Sequence, residues 1–201
     1  MKLNLPNKLS VLRLCMVPVF VVIMLVSDAM WANVTGLVLF VAASLTDMLD
    51  GKIARKYGLV TDFGKFLDPL ADKFMVIGAM LVILYRTMQT APTQWFKVLF
   101  MVAVMLVIFR ELAVTSIRLV VSGSSGIVVA ANMLGKIKTC AQIACVVCCI
   151  GERIVYPLVD LGKWETYLPL STVTTAVMLI FTLWSGINYL ASYWKYMDPQ
   201  K

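Results

Sequence analysis

Asp47-Met48-Leu49-Asp50-Gly51-Lys52-Ile53-Ala54-Arg55, followed by Gly64, Asp68 and Asp72, is the stretch on which the reading of this chain turns. Its pattern holds four of the five aspartates found at positions 47 to 72, in a chain that is 61% hydrophobic and only 14% charged. An ionised carboxylate in or beside hydrocarbon costs roughly 2.5–3.5 kcal/mol on insertion scales. Four so close together imply a cation among them. In an oily chain that means ion transport or metal-assisted chemistry.

The surroundings fit that setting. A length of 201 residues suits a single domain, 1–201. The mean hydropathy of +0.87 exceeds what a soluble domain carries and indicates a polytopic membrane protein. Net charge is +7, yet the basic residues form no soluble face, so no nucleic-acid partner is expected. Anionic membrane lipid, or an anionic substrate at the membrane surface, is the expected partner. Cys145-x-x-Cys148 has a spacing used by zinc and redox sites. The cysteines lie in an apolar run of a chain without histidine, so they read as small packing residues with no disulfide framework. Lys2, Lys8 and Arg13 before the apolar run Leu14–Val26, with Ala29 and Ala32 after it, resemble a signal peptide. Because further spans follow directly, the run is read as an uncleaved first membrane helix.

Hydropathy predicts an all-α membrane protein with six spans, about 9–26, 31–57, 63–85, 95–121, 132–159 and 167–194, each near the ~20 residues that cross hydrocarbon. Met1–Leu5 is expected as a short interfacial N-terminal piece. With the N-terminus in the cytoplasm, fourteen of the eighteen basic residues fall on that side, leaving only Arg86, Lys97, Arg153 and Lys163 on the other. The bias predicts cytoplasmic termini and aspartates. Asp47 to Lys56, Arg110 to Arg118 and Lys136 to Lys138 are helical in pattern yet too polar for lipid. They should face one another across a polar cavity open to the cytoplasm, or project from the bilayer.

Asp47 and Asp50 are three apart, and Asp68 and Asp72 four apart, so each pair shares a helix face. Gly51 and Ala54 admit a close approach, Gly58 is a stop signal, and Pro69 is placed to open or kink the start of the second helix. Facing carboxylate pairs suit one or two hard divalent cations, Mg²⁺ or Mn²⁺. Two such ions can clamp a phosphate in an in-line displacement, with a carboxylate taking a proton from the attacking hydroxyl. Alternatively the aspartates are helix-end groups paired with the local Lys and Arg.

The pattern D-x2-D-G-x2-A-R-x8-G-x3-D-x3-D, met at every position by Asp47, Asp50, Gly51, Ala54, Arg55, Gly64, Asp68 and Asp72, resembles the signature of the CDP-alcohol phosphotransferases. The resemblance implies six membrane helices with an interfacial N-terminal helix, usually as a homodimer, and transfer of a lipid phosphate from a CDP-linked donor to an alcohol with release of CMP. It implies that Asp47, Asp50, Asp68 and Asp72 ligate metal, and that Asp72 is also the base. It further implies that Asn7, Asp50, Gly51, Ala54, Arg55 and Gly64 hold the CDP donor. A bacterial plasma membrane is the expected location, no transit peptide being evident.

Looser patterns narrow the acceptor. Pro6-Asn7-Lys8-Leu9-Ser10-Val11-Leu12-Arg13, Arg110-Glu111 through Arg118, Asp68-Pro69-Leu70-Ala71-Asp72-Lys73, and Gly135-Lys136-Ile137-Lys138-Thr139 with Gln142 resemble the bacterial branch of that family. This branch uses CDP-diacylglycerol as donor and glycerol 3-phosphate as acceptor. Cations gathered beside a metal centre need anions, so Arg110, Arg118, Lys136 and Lys138 are expected to bind the acceptor phosphate; a neutral acceptor would not need them. Lipid-headgroup snorkelling, or a structural lock around Arg110 and Glu111, are the competing readings of these residues. Branches that use phosphatidylglycerol or inositol phosphate remain alternatives, as does a divalent-cation transporter.

Overall fold

The computed structural model describes residues 4–57, 61–91, 93–125, 133–159 and 167–194, apart from the side chains of 5, 6, 48–57, 62, 65 and 122–125. Among the described residues the elements are six long helices: α1 (Leu5–Val26), α2 (Met30–Tyr57), α3 (Asp62–Thr90), α4 (Gln94–Ser125), α5 (Met133–Val155) and α6 (Pro169–Tyr193). The expected spans are all present as helices. The fifth is shorter than read: α5 stops at Val155, and 156–159 form a turn with Pro157, which has no amide hydrogen to continue the ladder. Of the expected interfacial piece, Met1–Leu3 lies outside the described residues, while Asn4 is the N-cap of α1 and Leu5 its first residue. Gly58, the expected stop of α2, also lies outside them.

Sequence explains the local boundaries. Pro6 sits in the first turn of α1, where a missing amide hydrogen does no harm. Thr61 caps α3 with a hydroxyl that accepts the Gly64 amide at 3.0 Å. Pro69 lies inside α3 without ending it, so it neither opens nor starts that helix.

Five helices are long and apolar enough to cross a membrane, over 7–26, 30–47, 94–121, 133–155 and 169–193. The protein is a multi-pass membrane protein. At 29 residues α3 is also long enough, but Asp62, Lys65, Asp68, Asp72, Lys73 and Arg86 make it too polar to face lipid along its length. The packing resolves this: α3 touches α1, α2, α4 and α5, whereas α6 packs on α4 and α5. Met75, Val76, Ala79, Met80 and Ile83 of α3 lie in the core with Phe20 and Met24 of α1, Phe40 of α2, Phe100 and Val104 of α4 and Ile150 of α5. The outward faces carry exposed Val22, Val38, Phe109, Ile180 and Ile187, as a lipid-facing surface requires. Cys145 and Cys149 are buried in the same core, Cys145 Sγ lying 3.5 Å from Thr175 Oγ1.

Candidate active site

One face of α1 organises the aspartates. Asn7, Ser10 and Arg13 recur every three residues and are all buried, Ser10 and Arg13 at 0% exposure. The Asn7 amide donates to Thr61 Oγ1 at 2.9 Å and accepts from it at 3.1 Å, tying α1 to the capped start of α3. Ser10 Oγ donates to Asp68 Oδ1 at 2.5 Å. Arg13 Nη1 forms an ion pair with Asp47 Oδ1. A single helix face thus positions two carboxylates from two other helices. Gly64 lies beneath it: a Cβ there would stand 2.8 Å from Asn7 Oδ1 and 3.2 Å from Thr61 Oγ1. The glycine leaves room for α1 to approach α3 at the Asn7–Thr61 contact.

Asp47 and Asp72 open onto a cavity of about 650 Å³ between α2, α3, α4, α5 and α6. Lys73, Arg110, Arg118 and Lys136 line it from α3, α4 and α5, as does Glu111. The cavity brings carboxylates and cations to one space. Lys73 Nζ donates to Thr115 Oγ1. Arg118 Nε donates to Tyr189 OH at 3.4 Å, and its guanidinium carbon stands 6.0 Å from the centre of the Tyr189 ring. Lys138 behaves differently from its expected partners. Its ammonium is buried and ion-paired with Glu111, which also takes Arg110 Nη1 at 3.3 Å. Glu111 thus joins Arg110 of its own helix to Lys138 of α5. Arg110 Nε and Gln142 Nε2 are buried donors with no acceptor among the described residues, so an oxygen-rich anion would satisfy a real local need.

The side chains of Asp50, Gly51, Ala54 and Arg55 lie outside the described residues. Among the described residues no three acidic or thiol groups come together as a metal-holding set. The donors available at Asp47, Asp68 and Asp72 are carboxylate oxygens alone, a set that fits a hard divalent cation and not a thiophilic one.

Reading the sequence did not assign site roles to Ser10, Arg13, Thr61, Ser185, Asn188 or Tyr189. The i, i+3, i+6 spacing of Asn7, Ser10 and Arg13 was a visible signal, since polar residues at that period in an apolar helix must face protein. Ser185, Asn188 and Tyr189 line the cavity from α6 and carry no comparable signal beyond a polar face. Gly186 lets α6 reach α4, because a Cβ there would stand 3.2 Å from Arg110 Cγ.

The family model described as CDP-alcohol phosphatidyltransferase matches residues 3–195. A Bacillus subtilis (strain 168) protein named CDP-diacylglycerol–glycerol-3-phosphate 3-phosphatidyltransferase is 40% identical over 96% of this chain and 96% of its own length. A Rickettsia felis protein of the same name is 30% identical over 96% of this chain and 97% of its own. A Mycobacterium tuberculosis protein named probable phosphatidylglycerophosphate synthase is 34% identical over 94% and 80%. With five of its six helices lining a cavity that holds Asp47 and Asp72, and a family match along nearly its whole length, the chain belongs to the CDP-alcohol phosphatidyltransferase family.

Proposed function

We propose that this protein transfers the phosphatidyl group of CDP-diacylglycerol to the 1-hydroxyl of sn-glycerol 3-phosphate, giving phosphatidylglycerophosphate and CMP. The observation that carries the reading is the single cavity holding Asp47 and Asp72 together with Lys73, Arg110, Arg118 and Lys136. Such a space suits an anionic acceptor beside a carboxylate base. The names of the full-length relatives support the same donor and acceptor.

In this reading the diacyl chains of the donor stay in the bilayer, entering between helices, and the CDP headgroup lies over the aspartates. Asp47, Asp50, Asp68 and Asp72 would hold one or two divalent cations, Mg²⁺ or Mn²⁺, which would supply Lewis acidity and charge neutralisation to the diphosphate. Arg13 and Ser10 hold Asp47 and Asp68 in place. Arg110, Arg118 and Lys136 bind the acceptor phosphate, with Arg118 steadied by Tyr189. Lys138 pairs with Glu111 and through it helps to fix Arg110. Asp72 takes the proton of the glycerol 1-hydroxyl, whose oxygen attacks the phosphatidyl phosphorus. The new phosphorus–oxygen bond forms as the bond to the CMP phosphate breaks, and CMP leaves with the electron pair. Asp50, Gly51, Ala54 and Arg55 contact the CDP portion. The active site faces the cytoplasm of a bacterial cell, consistent with the loop charges, and the protein acts as a homodimer.

The test is CMP release by the purified protein. CDP-diacylglycerol and Mg²⁺ or Mn²⁺ are supplied, with glycerol 3-phosphate, inositol phosphate, serine or phosphatidylglycerol offered in parallel. Metal-dependent release with glycerol 3-phosphate is expected. Release only with another acceptor would overturn the assignment of Arg110, Arg118 and Lys136. No release with any acceptor, together with metal uptake into sealed vesicles, would return the transporter reading.

A further inference from the structure

A second cavity, about 510 Å³, opens at the other end of the bundle. Arg86 follows Asp72 on α3, and Arg153 follows Lys136 on α5, by four to five helical turns. The helical rise therefore puts this cavity about 20–25 Å from the active site. It shares no lining residue with the active-site cavity among the described residues.

Its two guanidiniums are treated differently by their surroundings. Arg86 is buried and fully engaged: Nε donates to Asp28 Oδ1 at 2.7 Å, Nη1 to Asn33 Oδ1 at 2.7 Å, and Nη2 pairs with the same Asp28 carboxylate. Arg153 is half-buried, and among the described residues its hydrogen bonds go to neutral oxygens, Thr90 Oγ1 at 3.0 Å and Thr87 Oγ1 at 3.4 Å. The carboxylate beside it in sequence does not serve it. Glu152 accepts Tyr156 OH at 2.7 Å, the Leu170 amide at 2.7 Å, the Ser171 amide at 3.0 Å and the Ser171 hydroxyl, which closes the start of α6. Among the described lining residues, two guanidiniums therefore face one carboxylate, Asp28.

Arg153 lies in the last turn of α5, where the helix dipole favours a cation. A second guanidinium, that of Arg86, lines the same cavity, and the two threonine hydroxyls bring no opposing charge, whereas an anion would. Thr87 and Thr90 also hold the planar fork in place, leaving its other N–H donors for a tetrahedral oxyanion. Phe96, Ala91 and Leu168 add an apolar portion to the wall, and Tyr156 and Ser171 also line it.

We propose that this cavity binds a phosphate group through Arg153, with Arg86 supplying positive field from behind its pair with Asp28. Phosphate in this setting comes either from an anionic phospholipid headgroup or from free phosphate. The inference stands independently of the reaction assigned to the aspartates.

The experiment titrates the full-length protein in detergent at fixed ionic strength with inorganic phosphate, dihexanoyl phosphatidylglycerol and dihexanoyl phosphatidylcholine, read by calorimetry. Saturable binding of the anionic probes over phosphatidylcholine is expected. Binding of the phosphatidylglycerol alone identifies a lipid headgroup, and binding of both identifies the phosphate itself. Arg153→Gln should weaken binding roughly tenfold or more, the scale of a charge-assisted bond. Arg153→Lys should retain most of it, and Arg118→Gln, which weakens any phosphate binding in the acceptor subsite, should leave the Arg153-dependent component in place. Asp28→Asn, which removes the opposing carboxylate among the described lining residues, should tighten binding several-fold and keeps the test open if Arg153→Gln fails to fold. Absence of saturable anion binding to the wild-type protein overturns the proposal. So does binding that Arg118→Gln abolishes and Arg153→Gln spares, or binding that Asp28→Asn leaves unchanged or weakens.

Discussion

Replacing Lys138 by Met separates two roles that its sequence position allows. In the structure its ammonium is paired with Glu111, and the two side chains are only 7% and 11% exposed. Removing one member of a buried pair leaves the other charged and desolvated, which costs about 3–5 kcal/mol. Arg110 remains 3.3 Å from the same Glu111 oxygen, so the lower end, about 3 kcal/mol, is the expected loss. For a chain of this length that is a fall of roughly 6–12 °C in the unfolding midpoint. Glu111→Gln alone leaves Lys138 buried and unpaired and should be comparably destabilising. Glu111→Gln with Lys138→Met removes both charges and should recover most of the loss, a coupling of about 2 kcal/mol or more. The assay is thermal unfolding of the four proteins in one detergent, with the KM for glycerol 3-phosphate measured alongside. A Lys138→Met protein with an unchanged midpoint and a KM raised tenfold or more would refute the reasoning, because it would make Lys138 a free phosphate ligand.

Asp72→Asn should lower CMP release by about 10²-fold or more while the unfolding midpoint holds, measured by nucleotide chromatography and thermal unfolding. Arg118→Gln should raise the KM for glycerol 3-phosphate about tenfold through one charge-assisted bond, with less effect on donor KM; equal effects on both would remove it from the acceptor subsite. Gly64→Ala drives a methyl to 2.8 Å from Asn7 Oδ1 and should destabilise by about 1–3 kcal/mol. Asn7→Ala should relieve part of that loss in the double variant, and strictly additive losses would show that the two do not share the space. Chelation of divalent cations should stop CMP release reversibly, with activity restored by Mg²⁺ or Mn²⁺; full activity in chelator would remove the metal from the mechanism.

The sequence by itself determined the all-helical membrane class, the helix cores and the pairing of aspartates on helix faces. These depend on local quantities: the length of an apolar run and the 3.6-residue period. The aspartate spacing also identified the family, and the excess of Lys and Arg pointed to an anionic partner. Tertiary structure alone decided which cations face the cavity. Lys136 and Lys138 differ by two residues, so they leave α5 in different directions, one into the cavity and one to Glu111 on α4. It also decided that Arg13 meets Asp47 across 34 residues and that Arg118 meets Tyr189 across 71. Such contacts are fixed by the order, tilt and rotation of packed helices, which no local period encodes. The polar face of α1 lies between these cases. Its spacing shows that Asn7, Ser10 and Arg13 must avoid lipid, and only the packing of α1 against α2 and α3 shows that they hold Thr61, Asp68 and Asp47.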